Sequence, residues 1–513
     1  MRLLSLLATC LYLLPSSYAD DSNLTEPLSS HQILPESFKP PQVFKHVNLV
    51  RNINLEKSYV RETINVVVEN TDLGPQDVYY FPFNADTIGH IGGFEVRDKK
   101  EPSKLSFPAE VVEYDPYSPT QFFRITFPSP LQPASQVTLS ISYHILSSLA
   151  PLPALVEQNE KQYLKSTFST YSPSCYPTSK QKTKVKFPTV DIPDYTFSPE
   201  RQGSTFTYGP YENTPAGVEQ EASARYEFTK PLIYATLLER DVEISQWGGN
   251  LATEERYWLT NKGANLKSQF SRVTWAASNQ QYYSAPTSAI KSLNVPLKIG
   301  SLDPYFTDDI GNVSTSRFRS NAKEANLELK PRYPVFGGWK YSFRIGWNGN
   351  LKNVLRKLKT GEGYVLKVPF LEGPKMGEGV SYERVDVRVI LPEGATNVKF
   401  ETAVPLVASE VSLHKTFMDT LGRTTLKLTA MNVVDGSREQ DLIVSPAKIF
   451  YLLEIPSSPN SILVVLLIAL LQVTYDYPFS AAFRKPITIF IGVLSIFLTA
   501  WVVGSLDVSI GRK

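Results

Sequence analysis

Between residues 41 and 443 the chain alternates apolar and polar residues in short runs closed by Pro, Gly or Asn. The stretches Tyr59–Asp72 (YVRETINVVVENTD), Phe122–Phe127, Gln136–Ile145, Tyr341–Trp347, Arg384–Pro392 and Thr424–Val434 put β-branched or aromatic residues at every second position. A period of two lines one face of a strand, so the pattern predicts a mainly β chain of antiparallel sheet. The 38 prolines and 27 glycines would punctuate many short strands. Only Ala154–Ser166 and Leu351–Lys359 have helical spacing, and both are expected as connectors.

The two ends break this pattern. Residues 1–19 combine Arg2, the apolar run Leu3–Leu14 and the small-x-small site Ser17-Tyr18-Ala19, which reads as a cleaved secretory signal. Ile487–Leu506 is a run of uncharged, mostly apolar residues about 30 Å long as a helix, which matches a bilayer core. The expected anatomy is a juxtamembrane segment at 473–486, a transmembrane helix at 487–506 and a cytosolic tail at 507–513, with the bulk of the chain on the exported side. Ser461–Gln472 (SILVVLLIALLQ) is equally apolar, but as a helix it reaches only about 18 Å, too short to span.

Inside the β region, Arg51 followed by Glu62 and Asn70 is echoed by Arg240 followed by Glu254 and Asn261. The echo suggests two related β-sandwich-like domains, 20–230 and 231–443, joined near Lys230-Pro231. Cys10 leaves with the signal and Cys175 is then alone, so the folded part must rely on its cores rather than on disulfides. A formal net charge of +2, with no basic block, gives nothing toward nucleic acid.

Motifs for chemistry are sparse. There is no phosphate loop, nucleophile elbow or His-Glu-x-x-His, and His31, His46, His90, His144 and His414 are isolated, so no catalytic, cofactor-binding or metal residue is assigned. Asp308-Asp309 could be a carboxylate pair for acid/base or metal work, against the reading that it caps a turn. Lys180, Lys182, Lys184 and Lys186 share one strand face, read as a lysine-protected edge strand with an anion site as the alternative. The sequons Asn23-Leu24-Thr25 and Asn312-Val313-Ser314 are candidate N-glycosylation sites. Pro331–Trp347 is dense in aromatics around Gly337-Gly338 and reads as core, or as a sugar- or peptide-binding platform.

Five pieces taken in order, YFTDDIGNVSTS (Tyr305–Ser316), PRYPVFGGW (Pro331–Trp339), LPEGA (Leu391–Ala395), DTLGR (Asp419–Arg423) and LDVSI (Leu506–Ile510), resemble the ribophorin I family. The resemblance implies a non-catalytic subunit of the endoplasmic-reticulum oligosaccharyltransferase complex, which moves a preassembled glycan from dolichyl diphosphate to Asn of Asn-x-Ser/Thr in nascent chains. It implies an endoplasmic-reticulum membrane location with two luminal β domains. Its partners would be the other subunits, including a polytopic catalytic one that holds the metal, together with nascent polypeptides and the membrane. The chain stops soon after LDVSI, like members with a short cytosolic tail. The alternative is a stand-alone luminal carbohydrate-binding receptor or glycan-processing enzyme.

Within that resemblance Val444–Gln472 is anomalous. Without it, Asp441-Leu442-Ile443 would run directly into Val473-Thr474-Tyr475-Asp476-Tyr477-Pro478-Phe479 as one alternating strand. The segment is 29 codons long, a whole number of codons, and its Val-Ser start and Gln end can be encoded by the two ends of an intron. It is read as a possible retained intron, with an interfacial or poorly ordered helix as the alternative.

Overall fold

The computed structural model describes residues 39–438 and 470–505, apart from 101–105, 113–117, 119, 281–285, 359–362, 417–418 and 420. Numbering only the strands of the two large sheets, the first half contributes β1 (Phe44–Asn54), β2 (Val60–Asn70), β3 (Ile91–Asp98), β4 (Gln136–Ile145), β5 (Thr178–Lys186), β6 (Glu200–Gln202) and β7 (Thr205–Thr214). The second contributes β8 (Ile233–Ser245), β9 (Asn250–Asn261), β10 (Leu302–Asp308), β11 (Lys340–Asn350), β12 (Val380–Glu393), β13 (Ala408–His414) and β14 (Arg423–Val434).

Their order across the sheets is β6-β7-β5-β1-β2-β4-β3 and β13-β14-β12-β8-β9-β11-β10, so each strand of the first sheet has its counterpart seven strands later. Orientation repeats too. The pairs β1/β5 and β8/β12 are parallel, and the other pairs in both large sheets are antiparallel. The second sheet adds a two-residue edge strand, Gly311–Asn312.

The repetition extends to what covers the large sheets. In the first half a three-stranded sheet is built from 76–84, 109–112 and 120–131, and a four-stranded sheet runs in the order 149–151, 163–169, 221–227, 194–195. In the second half the counterparts are 293–297, 317–320 and 325–329, and then 355–357, 363–369, 470–476, 396–401. Alternation explains the layering: β2 buries Val60, Glu62, Ile64, Val66, Val68 and Asn70 and leaves the residues between them half-open or exposed. Ile64 and Val66 meet Phe81, Phe83 and Ile125 of the small sheet in one core, and Ile53 and Val185 meet Leu164 and Phe168 in a second. In the second half one continuous core serves all three sheets.

The strands foreseen at Phe122–Phe127, Gln136–Ile145, Tyr341–Trp347 and Thr424–Val434 all lie inside observed strands. The two expected helices do not form. Ala154–Ser166 holds the strand 155–156 and the start of Tyr163–Ser169, where Leu164, Ser166 and Phe168 turn inward at period two. Leu351–Lys359 opens with a single 3-10 turn and continues as the strand Leu355–Lys357.

The large sheets change over between β7 and β8, and the two halves interlock. Tyr59 and Leu146 of the first half pack with Tyr234 and Val434 of the second. The Asn432 side-chain amide donates to the carbonyls of Gly89 and Ile91. At Gly92 a Cβ would fall 1.8 Å from the Asn432 carbonyl oxygen, so only glycine permits this approach. Gln162 ties the junction, donating to Phe228 and Lys230 carbonyls and accepting from the Ala264 amide. The C-terminal helix Phe479–Ser505 follows the last strand of the second half, and its apolar stretch Pro486–Ser505 is exposed from Ile487 onward. The expected span 487–506 thus falls within it except for Leu506, which lies outside the described residues.

Candidate interaction surfaces

Three of the four charged residues of the Arg/Glu echo, Arg51, Glu62 and Arg240, are internal. Arg51 donates to both Glu62 oxygens, at 2.8 and 2.9 Å, and the Tyr143 hydroxyl donates to Glu62 at 2.6 Å. In the second half Arg240 engages Glu255 and, at 2.7 Å, Glu372, while Tyr257 donates to Glu255. The inward carboxylate is therefore Glu255 and not Glu254: Glu254 faces outward beside Arg344 at 3.1 Å. Burial pulls the pKa of Arg51 and Arg240 down, but the facing carboxylates outweigh it and raise both above the ordinary arginine value. These clusters organise cores. The signal for them was an Arg at an inward position between apolar neighbours, Arg51 between Leu49 and Ile53.

Asp308 is committed to its own turn. Its carboxylate accepts from the Ile310 and Gly311 amides, both at 3.0 Å, and pairs with Arg332 at 2.5 Å. Burial works against ionisation, yet Arg332 and the two amides prevail and hold its pKa below the ordinary carboxylate value. Asp309 is exposed. Asp308 thus caps the turn, and Asp309 stands exposed beside it.

Thr178–Lys186 is an interior strand, hydrogen-bonded to β1 on one side and β7 on the other, and not the edge strand expected from its lysines. Lys180, Lys182, Lys184 and Lys186 do share the outward face, and Lys186 reaches Glu56 at 2.9 Å. The thiol of Cys175, half-buried, is pushed up to about 12 by burial, which removes thiolate reactivity at neutral pH. His46 and His144 are buried, and burial lowers both to about 3; His90 and His414 are exposed, and His31 lies outside the described residues. Among the described residues no group of three or more His, Cys, Asp or Glu is placed to hold a metal ion.

The aromatic segment Pro331–Trp347 is mostly core. Phe336 is fully buried among Phe270, Trp275 and Trp339, and a Cβ at Gly337 would sit 2.0 Å from the Ala264 carbonyl oxygen. Asn261, the residue matching Asn70 in the echo, donates to the Ser288 and Val335 carbonyls and so clamps this segment, as Asn70 clamps Gly74 and Leu131.

Two of the open surfaces among the described residues bear on function. One is the outer face of the second large sheet, where Arg256–Glu239, Arg344–Glu254 and Arg388–Asp241 form cross-strand ion pairs. The register places Asn312, Thr307, Arg344, Arg256, Glu239 and Asp386 in a single row on that face. Asn312 is exposed at its edge, and Arg332 fixes its carbonyl at 2.9 Å. Asn23 lies outside the described residues. The other surface is the stretch Pro486–Ser505 of the C-terminal helix, uncharged and predominantly apolar around its circumference.

Comparison with known proteins adds the following. The family model described as Ribophorin I matches residues 44–453. Subunit 1 of the dolichyl-diphosphooligosaccharide–protein glycosyltransferase of Schizosaccharomyces pombe is 32% identical over 405 residues, covering 77% of this chain and 87% of that protein. The Caenorhabditis elegans subunit 1 is 30% identical over 394 residues, covering 76% of this chain and 65% of that protein. Subunit 1B of Arabidopsis thaliana is 30% identical over 406 residues, covering 78% and 85%.

Proposed function

The chain belongs to the ribophorin I family, and on that premise we propose that it is a subunit of the dolichyl-diphosphooligosaccharide–protein glycosyltransferase complex, not an enzyme on its own. The observation that carries this is the helical stretch Pro486–Ser505, uncharged and predominantly apolar around its circumference, attached to an interlocked β ectodomain whose candidate acid Asp308 is engaged by its own turn and Arg332. A helix hydrophobic all round is at home in a bilayer and against other membrane helices.

In the finer reading, the helix anchors the chain in the endoplasmic-reticulum membrane with both β halves in the lumen, near the acceptor polypeptide. There the ectodomain supports assembly and presents nascent chains, while transfer and its metal belong to a polytopic partner. Asn312, exposed in its turn, carries an N-glycan of its own, and its replacement by Gln should remove one glycan step from the protein's electrophoretic mobility.

Purification of the tagged full-length chain in mild detergent tests the central claim. Recovery of the other transferase subunits is expected, with under-occupied sequons on secreted proteins after depletion. A chain that migrates alone, or loss of transfer from Asp308→Ala and Asp309→Ala in an otherwise assembled complex, would overturn it.

A further inference from the structure

Where the C-terminal helix leaves the ectodomain, a cleft of about 740 Å³ opens between them. Its ectodomain wall is the tip of the β8–β9 hairpin and the neighbouring strand ends, with Glu243, Trp247 and Glu393 facing the cleft. Its other wall is one face of the helix: Arg484, then Ile489, Phe490 and Val493.

The cleft straddles a polarity boundary. Arg484 precedes Pro486, where the uncharged stretch begins, and Val493 lies about 13 Å further along the helix at roughly 1.5 Å per residue. That distance is comparable to the depth from a lipid headgroup to its upper acyl chain. Trp247 is 64% exposed and meets Phe483 edge-on at 6.1 Å between centroids, which sets an indole at the level where tryptophans partition in membranes.

The charges narrow the occupant. Glu243 pairs with Arg423, which also reaches Asp419 at 3.3 Å, so that arginine is neutralised by its neighbours. Arg484 has no ion-pair partner among the described residues and is exposed. The Arg484 guanidinium beside carboxylates and an indole suits a headgroup with both charges: phosphate on the guanidinium, quaternary or primary ammonium on the carboxylate and aromatic side. A lipid with net negative charge would meet Glu243 and Glu393, and a sterol would leave Arg484 unused.

We propose that this cleft binds a zwitterionic glycerophospholipid, with its phosphate at Arg484, its ammonium between Trp247 and the carboxylates, and one acyl chain along Ile489, Phe490 and Val493. The proposal rests on the reading that the helix spans the bilayer, and does not depend on the partners.

Photo-crosslinking of the full-length protein in native microsomes tests it, with phosphatidylcholine, phosphatidylethanolamine and phosphatidylserine bearing a diazirine high on one acyl chain. Adducts mapped by mass spectrometry should concentrate on Ile489–Val493 and Gln246-Trp247, several-fold stronger with the two zwitterionic probes. Arg484→Glu should cut this labelling several-fold and Arg484→Lys should largely retain it, while labelling of Phe497, deeper in the helix, stays unchanged. Labelling spread evenly along the helix, preference for phosphatidylserine, indifference to Arg484→Glu, or crosslinks from a photoreactive residue at 247 to another subunit would each overturn the lipid site. Absence of label at Phe497 as well would overturn the bilayer reading on which it rests.

Discussion

The hydroxyl of Tyr59 donates a 2.8 Å hydrogen bond to the carboxylate of Asp435, joining two residues 376 positions apart. Both are buried, and Lys57 adds a cation 3.3 Å from the same carboxylate. Burial first, and Asp435 second, raise the Tyr59 pKa, so the hydroxyl remains a donor across the physiological range. Tyr59→Phe keeps the ring packed on Leu146, Tyr234 and Val434 but withdraws one donor from a buried carboxylate, a cost of about 1–3 kcal/mol. Calorimetry should show a lower Tm, and limited proteolysis should cut first near the junction at 228–232. An unchanged melt would mean that Lys57 alone satisfies Asp435.

The two buried ion pairs should be far more sensitive than those on the open sheet face. Glu62→Gln or Glu255→Gln leaves a buried guanidinium short of its counter-charge, at a cost of about 3–5 kcal/mol. Glu239→Gln, which removes the 3.6 Å partner of half-exposed Arg256, should cost no more than about 1 kcal/mol. Chemical denaturation of the three variants checks the ranking, and equal effects would contradict the inward placement of Glu62 and Glu255.

Stability should fall as the medium is acidified below pH 6.5. His46 and His144 titrate near 3 in the folded chain because burial disfavours their charged forms, whereas in the unfolded chain they take up protons near 6.5. Between those values the unfolded state binds the extra proton, so each histidine costs about 1.4 kcal/mol per pH unit once the pH is well below 6.5. His144→Gln should flatten the stability curve between pH 6 and pH 4 by about that slope. Denaturant midpoints measured across that range would show it, and a parallel shift of the whole curve would count against it.

The repeat between the halves bears on Val444–Gln472. Residues 444–469 lie outside the described residues, and Leu470–Gln472 open the strand Leu470–Asp476, which pairs with Gly363–Pro369 and Thr396–Glu401. Its counterpart in the first half, Glu221–Glu227, follows β7 after a connection of six residues, 215–220. Removing Val444–Gln472 would seat Asp441-Leu442-Ile443 in the places of Leu470–Gln472 and leave 435–440, again six residues, after β14. We therefore expect the working chain to lack this segment, and a chain built without it to fold and assemble at least as well. Transcript sequencing across the junction decides the first point; mature message that mostly keeps the 87 nucleotides would refute it.

Much of the sheet structure was legible because strands buried on one face write their period into the sequence: β2, β4 and β14 fall where Tyr59–Asp72, Gln136–Ile145 and Thr424–Val434 alternate. What failed depended on neighbours distant in sequence. The lysines of β5 look like edge protection until β1, more than a hundred residues earlier, is seen to pair with it. Ala154–Ser166 has the composition of a helix, and only the strands at 149–151 and 221–227 on either side of Tyr163–Ser169 settle it as extended. Parity was the missing step in the Arg/Glu echo: Arg240 stands opposite Glu255, and inward positions recur at Thr253, Glu255, Tyr257 and Leu259, which excludes Glu254. The glycan candidate Asn312 could be found from its motif, but its row across the open face follows only from register.

The parallel pairs β1/β5 and β8/β12 also set a timetable for biogenesis. In each half the strand made first lies inside its sheet, and one of its two edges finds no mate until a strand more than a hundred residues downstream has been synthesised. At roughly 5–20 residues per second that is a wait on the order of ten seconds, twice per chain, with β1 and then β8 offering a bare edge to other chains emerging nearby. A protein of this build should depend on folding helpers during its own translation, and most acutely in the interval before β5 and again before β12 arrives.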